Sequence, residues 1–180
     1  LPATGRVWSG IPKELTDIEG VRYVISSNGA AVVELATGKA VYTNGIGWER
    51  ALEIFDLLEE YDTFYDAYAM GNGWCEGRFY DDLDAFGIEH YLQPMVKKSR
   101  TRIDDLRGWV REHKVPVEKI NMFFKDEENR QKAFRELSQL PDLAVTCSLS
   151  NNLEINHCTC NKGDALLNLG RILGIPMNEI

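Results

Sequence analysis

Asn161-Lys162-Gly163-Asp164-Ala165-Leu166 decides how the rest of this chain is read. Asn161 suits a helix N-cap, because its side-chain oxygen can accept a first-turn N–H that has no partner within the helix. Ala165, Leu166, Leu169, Ile172 and Leu173 recur at helical spacing, and Gly174 stands at the stop position with Pro176 beyond it. Lys162 therefore falls in the first turn, beside free N–H groups and the positive end of the helix dipole. A cation there costs about 0.3 kcal/mol or more, so the placement favours an anionic partner. Taken alone, an ordinary solvated lysine would read the same way.

Working outward, the opposite end of the sequence carries Ala3-Thr4-Gly5-Arg6, a hydroxyl and a guanidinium on a Gly-loosened turn. Residues 21–25 read as a buried strand ending in Ser26-Ser27-Asn28-Gly29, where Asn and Gly tolerate positive φ. Residues 30–35 and 40–43, joined at Thr37-Gly38, read as a hairpin. From Ile46 the period becomes helical through Ala51, Leu52, Ile54, Phe55 and Leu58. Residues 63–70 and 74–80 are then expected to pair across Gly71-Asn72-Gly73. Tyr65, Tyr68, Trp74, Phe79 and Tyr80 cluster in that hairpin and are expected mostly to pack as core, so none is named as a site. Short helices over 81–91 and 100–113 follow, the second with Ile103, Leu106 and Val110 on one stripe. A strand over 119–124 comes next. Asp126 then caps a helix with Phe134, Leu137 and Leu140 on its apolar face, before strands over 144–149 and 153–157. The middle of the chain is thus an α+β unit, a sheet covered by helices on one face. The flanks cannot bury their apolar faces alone.

The bounds are compatible with this reading. A 180-residue chain with 44% hydrophobic residues can bury a substantial core. A net charge of −8 argues against nucleic acid or an anionic membrane as the main partner, while leaving room for a local anion site. No apolar run approaches the roughly 18 to 20 residues that span a bilayer. Cys75, Cys147, Cys158 and Cys160 lack the paired C-x-x-C spacing of structural zinc and read as reduced thiols of a cytoplasmic protein. Leu1-Pro2-Ala3-Thr4-Gly5 matches a wall-sorting pentapeptide only by coincidence, since that signal belongs near a C-terminus.

Taken in order, Ala3-Thr4-Gly5-Arg6, Ile25-Ser26-Ser27-Asn28-Gly29-Ala30, Leu153-Glu154-Ile155 and Asn161-Lys162-Gly163-Asp164-Ala165-Leu166 resemble the successive signatures of Cof-type phosphatases. These belong to the haloacid dehalogenase-like (HAD) hydrolase superfamily. The resemblance implies an α/β fold: a HAD-like Rossmann core, only partly present, with a large inserted α+β cap domain. It places partial core at 1–45 and 157–180, and the cap at 46–156. It makes Thr4 the second-motif hydroxyl and Lys162 the third-motif lysine, both catalytic groups that hold the transferring phosphoryl group. Arg6, Asn28 and Gly29 match substrate-binding positions near the opening.

The resemblance further implies a magnesium cofactor and a small phosphorylated substrate. The family's Asp-x-Asp motif, which supplies the nucleophile and a metal ligand, is expected upstream of Thr4; its final acidic motif is expected after Ile180. Asp17, Asp56 and Asp81-Asp82 stand in the wrong contexts to replace them and read as solvated carboxylates. The expectation is therefore a fragment of a magnesium-dependent phosphatase working through an aspartyl phosphate, inactive as printed and with no metal ligand of its own. A non-catalytic cap-like module that binds a ligand or partner, and a phosphomutase on the same architecture, are the alternatives.

Overall fold

The computed structural model describes residues 1–180 and contains two sheets. After a single-turn helix α1 (Lys13–Thr16), strands β1 (Tyr23–Ser26), β2 (Ala31–Glu34) and β3 (Lys39–Thr43) form an antiparallel sheet in the order β1-β2-β3. Helix α2 (Trp48–Leu58) leads into strands β4 (Phe64–Ala69) and β5 (Asn72–Glu76). Helices α3 (Gly77–Tyr80) and α4 (Gln93–Ser99), strand β6 (Arg100–Ile103) and helix α5 (Leu106–His113) come next. Strand β7 (Lys119–Phe123), helix α6 (Glu127–Leu137), strands β8 (Leu143–Thr146) and β9 (Asn152–His157), and helix α7 (Lys162–Leu173) complete the chain. The larger sheet runs β6-β5-β4-β7-β9-β8, antiparallel except for the β5–β6 pair. This is the mixed α/β architecture implied by the sequence.

Alternation along the central strands of the larger sheet separates two environments. Ile120, Met122, Leu153 and Ile155 enter a core of 26 buried residues, together with Ile54, Phe55 and Leu58 of α2, Leu106 and Val110 of α5, and Leu137 of α6. Phe64 meets Phe79 and Phe123 at ring-centroid separations of 5.5 and 5.6 Å. Burying each such side chain stabilises the fold by about 1.5–3 kcal/mol. The other set is polar: Asp66, Asn121 and Glu154 stand side by side across β4, β7 and β9, with Lys119 opposite Tyr68. A second, small apolar cluster joins Ile25 and Val32 to Ala165 and Leu169 of α7.

Several elements differ from the sequence-based expectation. The β4–β5 turn is the two-residue Met70-Gly71, both at positive φ (54° and 72°), and Asn72 already pairs with Ala69. A two-residue turn of that twist matches the twist of the strands it joins. Residues 77–80 form helix α3 rather than extending the strand, and Phe79 thereby turns into the core. The expected helix over 100–113 is a strand and a helix, because Asp105 caps α5 by accepting from the Gly108 N–H at 2.8 Å. Residues 83–86 form only a 3-10 turn closed by Gly87 at φ 69°. Phe134 is 41% exposed; Ala133 takes the buried place on α6. Ile172 and Leu173 of the expected α7 stripe are exposed as well.

The chain leaves the small sheet after Thr43 and returns at His157–Cys160. These two crossings are tied together by Asn44 Nδ2, which donates to Thr159 Oγ1 at 3.0 Å, while Ile46 on the outgoing crossing pairs with Val117, just before β7, through reciprocal backbone bonds of 2.8 Å. Cys158 is exposed, whereas Cys160 is buried with its sulfur against the Ser27 carbonyl. The four cysteines are free, and no helix is long and apolar enough to cross a membrane.

Candidate active site

The residues before β1 build one wall of the site. Ala3 bridges Ile25 in parallel, with Thr4 N–H donating to the Ile25 carbonyl at 2.9 Å and Ile25 N–H to that of Pro2 at 2.9 Å. The turn that follows lies over the end of β1. Arg6 N–H donates to Thr4 Oγ1 at 3.2 Å, Ser27 N–H to the Arg6 carbonyl at 2.9 Å, and Asn28 N–H to the Thr4 carbonyl at 3.1 Å. Ser27 and Asn28 reach that position through left-handed backbone, at φ 50° and 64°.

Helix α7 supplies the second wall. Asn161 caps it, accepting from the Asp164 N–H at 2.8 Å. Gly29, at φ 109°, lies so close to the Asn161 carbonyl that any Cβ would collide with it. Gly29→Ala therefore combines a left-handed strain with a backbone clash, and a loss of about 2 kcal/mol or more is expected in urea unfolding. A midpoint equal to wild type would show that the two walls do not meet as described.

Between these walls and the polar face of the larger sheet lies a cavity of about 430 Å³. Thr4, Arg6, Asn28 and Lys162 all line it. Gly29 is not a lining residue; it sets the contact between the walls. Lys162 and Arg6 are exposed and neither forms an ion pair, so the cavity carries two uncompensated cations. The larger sheet adds lining residues not assigned to the site from sequence: Tyr68, Arg100, Lys119, Asn121 and Glu154. Their signal was the polar alternation Lys119-Ile120-Asn121 and Asn152-Leu153-Glu154 inside otherwise apolar strands. Of the five hairpin aromatics only Tyr68 lines the cavity; Tyr65 and Phe79 are core.

Charges on the sheet side are paired. Lys119 Nζ lies 3.2 Å from Glu154 Oε1, and Arg100 Nε donates to Asp66 Oδ2 at 2.9 Å. Burial works to lower the Lys119 pKa and prevails over the neighbouring Glu154 carboxylate. Burial also acts to raise the Glu154 pKa, but the Lys119 ammonium and hydrogen bonds from Asn28 and Ser148 outweigh it and hold the carboxyl below its usual range. Glu154 is the only carboxylate lining the cavity. Engaged by Lys119, Asn28 and Ser148, it offers a cation no open ligand set, and no group of three potential metal ligands occurs in the chain. These residues do not fit a magnesium ion. Asp56 and Asp81, pairing with Arg107 and Arg102 at the surface, are remote from the cavity lining.

The arrangement can hold an anion between a hydroxyl-bearing turn and a helix start. Comparison with known proteins shows the family to which the chain belongs. A curated relative, YxeH of Bacillus subtilis strain 168, described as a candidate phosphatase, is 26% identical over 182 residues; the match takes in 98% of this chain and 64% of that protein. The chain thus spans less than two thirds of that relative's length. A solved haloacid dehalogenase-like hydrolase from B. subtilis superposes with a TM-score of 0.75 at 22% identity, covering 98% of this chain and 67% of the other. One from Bacteroides thetaiotaomicron gives 0.73 at 18% identity, covering 98% and 65%. The family model for haloacid dehalogenase-like hydrolases matches residues 2–180, nearly every residue from the Thr4 turn through α7, and the chain belongs to that family.

Proposed function

We propose that the protein carrying this chain is a phosphatase that hydrolyses a small phosphorylated metabolite, with Thr4 and Lys162 holding the transferring phosphoryl group. The observation that carries this reading is the convergence of the Thr4–Arg6 turn with Lys162, distant from it in sequence, on one cavity where Arg6 and Lys162 lack carboxylate partners. Phosphoryl transfer spreads negative charge over equatorial oxygens, so a hydroxyl donor and an ammonium fixed around them stabilise the transition state. Arg6 and Asn28 stand where they can meet the rest of the substrate, and Gly29 shapes the wall beside them. The boundaries that suit this assignment are core at 1–45 and 157–180 and cap at 46–156. The four free thiols agree with a reducing compartment such as the cytoplasm.

An aspartyl-phosphate route needs a free carboxylate facing the phosphorus. Glu154, already engaged three ways, does not provide one. On this proposal, the nucleophile and the magnesium ligands implied by the family resemblance belong to residues other than these 180. The 180-residue polypeptide alone is expected to be inert, while the full-length protein turns over phosphate esters in the presence of magnesium. A panel of sugar, polyol and nucleoside monophosphates assayed by phosphate release tests both halves of the statement. Turnover by the 180 residues alone, or none by the full-length protein, would refute it. A phosphomutase would instead move the phosphoryl group to a second hydroxyl without releasing phosphate.

A further inference from the structure

Two buried side chains of the larger sheet reach across to the turn that carries Thr4: Lys119 lies outside the quoted signatures, and Leu153-Glu154-Ile155 gives Glu154 no stated role. Lys119 Nζ, with its side chain 3% exposed, donates its shortest bond, 2.7 Å, to the Gly5 carbonyl rather than to a group of its own sheet. It also pairs with Glu154 Oε1 at 3.2 Å. Glu154 Oε2 accepts from Asn28 Nδ2 at 2.7 Å, and Asn28 N–H donates to the Thr4 carbonyl at 3.1 Å. The contacts close a ring: Thr4, Asn28, Glu154, Lys119, Gly5 and back to Thr4 through the peptide. Two members belong to β7 and β9 of the larger sheet, and three to the segments around β1.

We propose that Lys119 and Glu154 are positioning residues, which fix the Thr4–Gly5–Arg6 turn only while the larger sheet is seated on it. The inference rests on the phosphatase reading for its consequence in turnover. The physical argument is one of partners. An ammonium buried this deeply needs its donors satisfied, and charge-assisted bonds to a carboxylate and a carbonyl are the strong ones. If the sheet lifts away, Lys119 loses the Gly5 carbonyl and Glu154 loses Asn28. The turn then loses its side-chain ties to the larger sheet and keeps only the backbone bonds that join it to Ile25, Ser27 and Asn28. The Thr4 hydroxyl is held locally only by the Arg6 N–H at 3.2 Å, a bond within the turn itself that travels with it. Gly5 permits the close approach, since a Cβ there would meet the Asn28 side-chain oxygen. Seating of the sheet therefore completes the fixing of the turn that the backbone bonds begin.

The test uses the full-length protein and p-nitrophenyl phosphate, with Lys119→Met, Glu154→Gln, the double variant, and Lys119→Arg. Each single change is expected to lower kcat about tenfold or more while KM moves less than about threefold. The double variant should be no worse than about the poorer single, because either change opens the same ring. Lys119→Arg, which keeps a donor charge, should recover part of the loss. Amide hydrogen exchange should quicken at residues 3–6 and 27–29 in Glu154→Gln, with β4 and β7 unchanged. Wild-type kcat in the two single variants, or strictly additive losses in the double, would overturn the proposal. Should Lys119→Met fail to fold, Glu154→Gln carries the same comparison. If the wild-type protein hydrolyses no ester, the phosphatase reading falls by itself, and hydrogen exchange alone decides: quickening supports the ring, and unchanged exchange overturns it.

Discussion

Lys162→Ala in the full-length protein will lower kcat/KM for p-nitrophenyl phosphate by about 10²- to 10³-fold, the usual loss when one fixed donor to transition-state charge is removed. Lys162 sits in the first turn of α7, where its ammonium adds to the free N–H groups instead of being cancelled by a neighbour; no carboxylate pairs with it. The adjoining Asn161 cap and the α7 stripe do not depend on the lysine side chain, so folding should be unchanged and the loss should fall on chemistry. Lys162→Arg is expected to recover little, because a planar fork cannot occupy the place of a compact ammonium. Measured in steady state beside a thermal melt, a Lys162→Ala protein with wild-type kcat/KM would remove Lys162 from the mechanism.

The second large effect is on stability. Asp66→Ala should cost about 3–5 kcal/mol, as when one member of a buried ion pair is deleted and the other stays buried. Asp66 is fully buried, and it accepts from Arg100 Nε at 2.9 Å and from Asn121 Nδ2 at 2.5 Å. Arg100 comes from β6, two strands away, and crosses the sheet over Gly73 of β5, where any Cβ would crowd its side chain. With the carboxylate gone, the guanidinium keeps only Ser99 Oγ at 2.7 Å and the Tyr68 ring at 5.0 Å, neither of which carries charge. Asp66→Asn should cost distinctly less, since it retains an acceptor. Urea unfolding of both variants checks the order; a loss below 1 kcal/mol for Asp66→Ala would mean that water reaches Arg100.

How much of this could be read in advance depended on whether the signal was local. Helix α7 was legible because Asn161, the apolar spacing and Gly174 all act within one segment. The β2–β3 hairpin was legible at Thr37-Gly38 for the same reason. Residues 100–113 were not, because Ile103, Leu106 and Val110 keep a helical spacing that runs straight through the break at Asp105. What makes 100–103 a strand is its pairing with β5, a contact that no local propensity encodes. Thr4 and Lys162 could be given roles by motif, whereas Lys119 read as a single polar residue in an apolar strand and Glu154 stood in the Leu153-Glu154-Ile155 signature without a role. Their meaning arises only when β7 and β9 lie side by side and face Gly5 and Asn28.

The cross-tie between Asn44 and Thr159 has a mechanical consequence. Fastened to one another, the two connecting segments act as one strap rather than as two independent tethers. Seen from the small sheet, more than a hundred residues depart and come back at neighbouring points, and the whole excursion has the footprint of a short loop. That excursion brings Lys119 and Glu154 back onto the turn that carries Thr4.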